Sequence, residues 1–122
     1  MTEENKPKLF SPGVGKHGMT ALHYAAYCGD HSALTAALDV GMDPNARDDY
    51  RGYTAAHWLA DMAAVGGPRV DMLQALVAHG ADINVPAADG TTPLMLAREA
   101  GSVGGDELAQ EFLALGASDH AP

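Results

Sequence analysis

The 122-residue chain contains little cysteine, few aromatic side chains and few positive charges. Its single cysteine, Cys28, excludes an intramolecular disulfide and indicates a reducing compartment, for which we take the cytoplasm. No apolar run approaches the roughly 18 residues that a membrane span requires, and the N-terminus lacks the apolar segment of a secretory signal. These absences predict one cytoplasmic domain that does not insert into a membrane.

Positive charge is scarce in an uneven way. Seven Lys and Arg face sixteen Asp and Glu, which gives a net charge of -9. Residues 1–17 carry three Lys and two Glu, or +1, so the four Arg and fourteen acids that follow sum to -10. A negative field repels phosphate backbones, which argues against nucleic-acid binding, and it attracts basic proteins. Solubility alone also explains such acidity, and the sequence leaves both interpretations open.

The chain does contain a phrase that recurs at a regular spacing. It occupies residues 18–23 (GMTALH), 52–57 (GYTAAH) and 90–95 (GTTPLM), so its starts lie 34 and then 38 residues apart. A second phrase follows each copy, at residues 41–45 (GMDPN), 80–84 (GADIN) and 116–119 (GASD). Self-similarity at such a period is typical of stacked repeats, which bury one continuous core and present one extended surface.

Within a unit the local signals follow one order. A threonine (Thr20, Thr54, Thr92) can cap a helix, a short apolar segment such as residues 21–28 follows, and Gly29 suits a left-handed C-cap. Residues 31–40 then place Ala and Leu on one helical face, and Gly41 ends that helix. Asp, Pro and Asn in residues 43–49 form a turn-rich extension. Each unit is therefore predicted to be helix, turn, helix and protruding hairpin loop.

This order of signals resembles the ankyrin repeat, whose pattern runs approximately Gly-x-Thr-Pro-Leu-His-x-Ala-Ala, Gly-His, Leu-Leu and Gly-Ala-Asp-x-Asn. The resemblance covers residues 18 to about 119. It rests on these positions: Gly18, Thr20, Leu22, His23, Ala25, Ala26, Gly29, Leu38, Gly41, Asp43, Asn45 and Asp48; Gly52, Thr54, His57, Ala60, Leu76, Gly80, Ala81, Asp82 and Asn84; Gly90, Thr92, Pro93, Leu94, Ala97, Gly101, Leu113, Gly116 and Ala117. It implies an all-α ankyrin-repeat solenoid of three helix-turn-helix units with protruding hairpin loops.

The domain organisation follows from the same pattern. Residues 1–17 form a non-repeat N-terminal segment, which we expect to fold over the first helix pair through Leu9 and Phe10. The repeats span residues 18–51, 52–89 and 90–119, and the third also caps the stack. The second repeat carries an insertion at residues 64–69, and the third carries extra residues at 102–105. Both are predicted to be loose loops between helices, either tolerated insertions or contact surfaces.

The six histidines raise the question of metal binding or catalysis. The resemblance implies instead that His23 and His57 join neighbouring units by hydrogen bonds, as a buried polar group requires a partner. No pair has the spacing of a zinc site, and no serine lies in a nucleophile motif. The carboxylate of Asp30, two residues after Cys28, is not a neighbour that would activate that thiol. We therefore predict no metal, no cofactor and no enzymatic activity.

The resemblance also implies that a partner docks on the concave face, which hairpin tips and the exposed side of the first helices form. Three of the four tyrosines fall on it, while Tyr24 and Trp58 are predicted to lie in the core. Tyr50 and Tyr53 could alternatively pack only on each other. The predicted partner-binding residues are His17, Met19, Tyr27, Cys28, Asp49, Tyr50, Arg51, Tyr53, Asp61, Met62, Asp89, Thr91 and Glu99.

The sequence thus predicts a protein-interaction module that binds a protein partner on an acidic concave face. Its size and charge suit an inhibitor or an immunity or antitoxin-type protein that neutralises a basic partner. Two other classes stay open: a self-associating structural or scaffold protein, and, less favoured, a small-ligand binder or enzyme. We expect a monomer or weak self-association, and no contact with nucleic acid or membrane.

Overall fold

The computed structural model describes residues 18–63, 69–99 and 103–117. Within these ranges the chain forms six α-helices and no strand, as the all-α prediction requires. The helices are α1 (Ala21–Cys28), α2 (His31–Asp39), α3 (Ala55–Asp61), α4 (Val70–Ala78), α5 (Pro93–Glu99) and α6 (Val103–Ala114). None of the described helices has both the length and the apolar character needed to cross a membrane.

The helices pack in two layers. Each first helix contacts the next, so that α1, α3 and α5 form one row, while α2, α4 and α6 form the second row behind it. Within a unit the first helix also packs on the second, most extensively in α1 with α2 and in α5 with α6. This stacked order is that of a helical solenoid. The unit limits 18–51, 52–89 and 90–119 come from the sequence pattern and stay a prediction.

The helix ends lie where the local signals place them. Thr20 is the N-cap of α1, and Gly29 ends that helix in the left-handed region at φ 74°. The Asp30 side chain then accepts a hydrogen bond from the Ala33 N–H at 3.0 Å and caps α2. Gly41, at φ 93°, follows the end of α2. Short polar residues and glycines thus end the helices and turn the chain between them.

Both rows of helices build the core, and the second helices contribute to it in a regular way. Each places two large apolar residues four positions apart, and all of them are buried: Leu34 and Leu38, Met72 and Leu76, Leu108 and Phe112. Burying each such side chain stabilises the fold by about 1.5–3 kcal/mol. The first helices bury Leu22, Leu59 and Leu94 together with small residues such as Ala26 and Ala60. Small side chains allow the first helices to lie close together.

Two buried histidines join successive units, as predicted. The Thr20 N–H donates to Nδ1 of His23 at 2.9 Å, and Nε2 of His23 donates to the Tyr53 carbonyl at 2.9 Å. His57 repeats this arrangement with the Thr54 N–H at 3.0 Å and the Thr91 carbonyl at 3.0 Å. Because Nδ1 accepts and Nε2 donates, both rings are neutral. Burial lowers the pKa of His23, and it lowers the pKa of His57 to about 4.

A second link between units runs along the hairpins. The Asn45 side chain donates to the Gly80 carbonyl at 3.2 Å and accepts from the Asp82 N–H at 2.6 Å. Asn84 makes the corresponding contact one unit further, with the Gly116 carbonyl at 3.5 Å. The recurring Asn of the second phrase therefore has a structural role.

The structure corrects the loop predicted at residues 102–105. Ser102 lies outside the described residues, but Val103, Gly104 and Gly105 form the first turn of α6. Glycine costs less helix stability in a first turn than in the middle, because the first N–H groups have no intrahelical partner in any case. Gly105 is also buried, so its missing side chain lets α6 approach its neighbours closely.

The insertion at residues 64–69 is described only at Arg69, and residues 64–68 lie outside the described ranges. Arg69 has φ 47° and immediately precedes α4. Its Nη1 donates to the Ala26 carbonyl at 3.0 Å, near the C-terminus of α1. A Cβ on Gly29 would lie 2.5 Å from the guanidinium carbon of Arg69, so Gly29 makes room for this contact. The predicted docking of Leu9 and Phe10 falls outside the described residues.

Candidate functional site

An aromatic cluster lies where the first two units meet. It consists of Tyr27 near the end of α1, Tyr50 and Tyr53 in the hairpin before α3, and Trp58 within α3. The Tyr27 ring meets Trp58 edge-on at a centroid distance of 5.5 Å, and Tyr50 stacks on Trp58 at 6.0 Å. Trp58 is buried beneath them, whereas Tyr27 is 46% exposed and Tyr50 is 48% exposed. Two large aromatic surfaces therefore reach solvent from a rigid base.

Asp48 holds this hairpin in shape. Its Oδ1 accepts hydrogen bonds from the N–H groups of Tyr50 at 3.2 Å, Arg51 at 3.2 Å and Tyr53 at 3.0 Å. Its Oδ2 accepts from the indole Nε1 of Trp58 at 2.9 Å. The carboxylate is only 4% exposed, so four donors compensate the removal of its charge from water.

The protonation of Asp48 follows from these contacts. Burial alone would raise the pKa of its carboxyl group. The hydrogen bonds from Trp58, Tyr53 and Arg51 oppose that effect and outweigh it, so the pKa lies below its ordinary value. The side chain is therefore a buried carboxylate at neutral pH, and it fixes the backbone that presents Tyr50.

The hairpin that carries Tyr50 is one residue longer than the next hairpin. Its closing hydrogen bond joins the Asp48 N–H to the Tyr53 carbonyl at 2.9 Å, across five positions. The corresponding bond of the following hairpin joins the Ala87 N–H to the Thr91 carbonyl at 2.7 Å, across four. The additional residue lets the first hairpin carry both Tyr50 and Arg51 beyond Asp48.

Charged side chains surround the aromatic cluster. The Arg51 guanidinium carbon lies 5.0 Å from the centre of the Tyr50 ring, a cation–π contact. Burial raises the pKa of Tyr53, and the charges of Asp61 and Asp89 act in the same direction. The cluster thus has one cation and several acids at its edge.

Most of the predicted partner-binding residues are exposed. The exposed members are Tyr27, Cys28, Asp49, Tyr50, Arg51, Asp61, Asp89 and Glu99, while Met62 and Thr91 are partly buried. Ring contacts and charge bring together Tyr27, Tyr50, Arg51, Asp61 and Asp89. The contacts that define the cluster do not involve Met62 or Glu99. His17 lies outside the described residues.

Two of the predicted contact residues are not available at the surface. Met19 is 7% exposed and Tyr53 is 3% exposed, so both belong to the core. The Tyr53 ring stacks on His57 at 5.0 Å and meets Trp58 edge-on at 5.3 Å, which leaves no free face for a partner. Position within the repeat could not reveal this, because burial depends on rings contributed by the following helix.

Tyr50 and Tyr53 do contact each other, with ring centres 6.5 Å apart and planes at 87°. Tyr50 nevertheless keeps about half of its surface in solvent. The alternative that the two tyrosines serve only in packing therefore describes Tyr53, which is buried, but not Tyr50, which keeps an exposed surface. Of the two residues predicted to be core, Trp58 is buried and Tyr24 is partly buried against the core.

Sequence reasoning missed the role of Asp48 and the place of Trp58 as the base of the exposed rings. Asp48 was read as a turn former, and four of its hydrogen-bonding partners became visible only in three dimensions. One signal was present in the sequence: Asp48 stands ten residues before the only Trp, at the start of the hairpin that carries Tyr50.

Among the described residues, possible metal ligands do not form a cluster. Within them no three His, Cys, Asp or Glu side chains converge in a way that could hold a metal ion. Cys28 is exposed. One open groove is lined by Val70, Val103, Asp106, Glu107 and Gln110, on the side of α4 and α6. What the aromatic cluster can supply is non-covalent contact: ring faces, carboxylates and one guanidinium.

A family model described as ankyrin repeats, in three copies, matches residues 4–86. The match begins inside the segment 1–17 that the sequence pattern left outside the repeats, and it covers the aromatic cluster entirely.

Several curated proteins are similar over much of the chain. An ankyrin repeat-containing protein of Schizosaccharomyces pombe is 42% identical over 72 residues, which cover 59% of this chain and 32% of that protein. A BTB/POZ domain and ankyrin repeat-containing protein of Oryza sativa subsp. japonica is 33% identical over 113 residues, covering 92% and 20%. The nuclear factor NF-kappa-B p105 subunit of Gallus gallus is 33% identical over 104 residues, covering 84% and 10%. The chain spans at most about a third of the length of these relatives.

Proposed function

Because this chain belongs to the ankyrin repeat family, we propose that it binds a protein partner on its concave face, centred on the aromatic cluster. Repeats of this family mediate protein–protein interaction and are typically not enzymes. The observation that carries the proposal is the pair of half-exposed rings, Tyr27 and Tyr50, held on buried Trp58. Aromatic side chains on a rigid base lose little conformational freedom on binding and are enriched among interface hot spots.

The charge around the cluster favours a basic partner. Asp49, Asp61 and Asp89 are exposed, the charges of Asp61 and Asp89 act on Tyr53 of the cluster, and the chain carries a net charge of -9. Such a surface attracts a positive protein over several ångströms and accelerates its encounter. The carboxylates would then form the polar rim around the aromatic contact. This electrostatic component makes the affinity dependent on salt.

The same features support a narrower role. A compact, acidic chain that covers a basic partner suits an inhibitor or an immunity or antitoxin-type protein. The single cysteine fits a reducing compartment, and we place the interaction in the cytoplasm. Adding the purified protein to a basic partner enzyme at equal concentration should abolish its activity. Unchanged activity in the complex would leave a scaffold or adaptor role and exclude inhibition.

The proposal is tested by removing the exposed rings without disturbing the core. Tyr27→Ala and Tyr50→Ala, separately and together, should lose a partner captured from the native lysate and identified by mass spectrometry. Val103→Ala is the matched control, because Val103 is apolar and 77% exposed on α6, away from the cluster. Retention of the partner by both tyrosine variants would place the binding surface elsewhere and contradict the proposal.

Salt provides a second test once a partner is in hand. The dissociation constant should rise as ionic strength increases, since screening weakens the attraction between exposed charges. Asp61→Asn and Asp89→Asn should mainly slow association, as rim charges act on the association rate. An affinity that is the same at low and high salt would exclude capture by the acidic surface and leave the aromatic contact alone.

A self-associating scaffold protein is the alternative function, and exposed Val40, Val103 and Leu113 favour it. Exposed apolar side chains at the ends of helices could pack against a second copy. Light scattering decides between the two: a mass near twice 12.6 kDa, abolished by Val103→Ser, would support the scaffold. A mass of one chain at micromolar concentration would exclude it.

A further inference from the structure

We propose that Arg51 occupies, in the free protein, the position over Tyr50 that a cationic side chain of the partner takes when it binds. The inference rests on the proposed function and adds the chemistry that the site recognises. The partner segment would be basic and would present an arginine-type guanidinium to the aromatic cluster. Arg51 would act as an internal ligand that has to move aside.

The first observation is the guanidinium already seated on the ring. The Arg51 guanidinium carbon lies 5.0 Å from the centre of Tyr50, within the range of a cation–π contact. The structure itself therefore shows that this group fits over this ring. Planar guanidinium groups stack on aromatic faces more readily than ammonium groups do, which favours arginine over lysine as the incoming residue.

The second observation is that the backbone of Arg51 is held while its side chain is not buried. The Arg51 N–H donates to Asp48 at 3.2 Å, and its carbonyl accepts from the Ala88 N–H at 2.8 Å. The residue as a whole is exposed. A side-chain hydrogen bond with Tyr53 is the main cause of the raised pKa of Arg51, so the side chain has to give up that bond when it rotates away from Tyr50. This rotation does not require the hairpin backbone to move.

The third observation is a carboxylate that can receive the displaced Arg51. Hydrogen bonds from Thr91 are the main reason that the pKa of Asp89 lies below its ordinary value, and the charge of Arg51 contributes to the same shift. Asp89 is thus ionised at neutral pH and close enough to interact with Arg51. A displaced guanidinium would keep an opposite charge nearby, which lowers the cost of the exchange.

Charge complementarity selects the occupant. Asp61 and Asp89 both act electrostatically on Tyr53 of the cluster, and Arg51 is the cation that the structure places on the Tyr50 ring. An anionic segment would meet these carboxylates at short range, and like charges oppose association. A purely apolar segment would bind the rings without attraction to the carboxylates, so its affinity would not weaken with salt. The two occupants therefore differ in a measurable way.

The experiment uses the full chain and a defined probe. The probe is a nine-residue peptide in which Gly and Arg alternate, with blocked ends, at low ionic strength. Its neutral counterpart carries citrulline, which keeps the shape of arginine and removes the charge. Trp58 is the only tryptophan of the chain and lies at the base of the cluster, so its fluorescence reports binding at this site.

Two variants distinguish the displacement of Arg51 from a general effect of net charge on peptide binding. Arg51→Gln removes the internal cation, and Arg98→Gln removes the same charge from the exposed face of α5. We expect wild type to bind the arginine peptide and not the citrulline peptide. Arg51→Gln should bind the arginine peptide about two- to five-fold more tightly than Arg98→Gln, since an exposed cation–π contact is worth a factor of that size.

Three results would overturn the inference. Equal gains in Arg51→Gln and Arg98→Gln would show that only net charge matters. Weaker binding by Arg51→Gln would make Arg51 a direct contact for the ligand. Absence of any response to the arginine peptide, or an equal response to citrulline, would exclude guanidinium recognition at the cluster. None of these bears on whether Tyr27 and Tyr50 hold a protein partner, which the capture experiment decides separately.

Discussion

Replacing Asp48 by Ala should remove a large part of the free energy that stabilises the folded protein. The substitution removes the acceptor of four hydrogen bonds. The donors of Tyr53 and Trp58 are buried, and each costs about 1–3 kcal/mol when left without a partner. The N–H groups of Tyr50 and Arg51 lie nearer to solvent, where water can replace the carboxylate. We expect a loss of about 3–5 kcal/mol from a total that is typically about 5–15 kcal/mol.

The loss is measured by urea unfolding followed by far-UV circular dichroism, because the fluorescence of Trp58 changes with the substitution itself. Glu107→Ala is the control: it removes one negative charge from an exposed position of α6 and should change stability by less than about 0.5 kcal/mol. Far smaller losses in Asp48→Ala, below about 1 kcal/mol, would mean that water satisfies the buried donors and that our reasoning is wrong.

A double-mutant cycle isolates the bond between Asp48 and Trp58. Asp48→Asn turns an amide N–H₂ toward the indole donor, and Trp58→Phe removes that donor. The two changes should be non-additive by about 1–3 kcal/mol, since each alone breaks the same charge-assisted hydrogen bond. Additive losses would show that the 2.9 Å contact contributes little to stability.

Three further outcomes are expected. Burial lowers the pKa of His57 to about 4, so between about pH 6.5 and pH 4 this histidine is protonated only in the unfolded chain. The free energy of unfolding should therefore be constant above pH 7 and fall by about 3 kcal/mol between pH 6.5 and pH 4. Urea titrations in which it falls only below pH 4 would contradict this. Gly29→Ala should lower the melting temperature more than Gly41→Ala. Both glycines have positive φ, but a Cβ on Gly29 would also meet the Arg69 guanidinium, whereas a Cβ on Gly41 would meet no atom within 4 Å. In the background of Arg69→Ala, the two glycine substitutions should destabilise the protein equally in thermal unfolding. Leu59→Ala, at a fully buried position, should cost about 2–5 kcal/mol by urea unfolding, and a cost under 1 kcal/mol would show that the core collapses to fill the cavity.

Much of the fold was predictable because its signals are local. Thr20 and Thr54 cap helices, Gly29 takes the left-handed conformation, and the four-residue spacing of Leu34 and Leu38 marks a buried face. Each signal acts within a few residues of the chain, where backbone sterics and side-chain spacing decide the outcome. Val103 to Gly105 show the limit of this reasoning, since two glycines indicated a loop and packing of α6 made a helix of them.

The candidate site was predictable in part. Tyr27, Tyr50 and Arg51 were assigned to the surface by their place in the repeat, and the structure exposes them. Met19 and Tyr53, which each follow the first Gly of the recurring phrase, were assigned to the same surface. Both are buried, because neighbouring helices and rings cover them. The spacing of residues in the sequence predicts on which side of a helix or hairpin a side chain lies. Its exposure depends on which residues of the other units pack against it.

The sequence by itself determined the repeat, its helices and caps, and the strong excess of negative charge. These follow from periodicity, from short-range backbone chemistry and from counting charges. Only the tertiary structure decided which aromatic rings are exposed, that Asp48 is a buried carboxylate with four donors, and that Arg69 reaches the end of α1. The physical reason is distance along the chain: His23 bonds to a carbonyl 30 residues away and Arg69 to one 43 residues away, and such contacts exist only once the units have stacked.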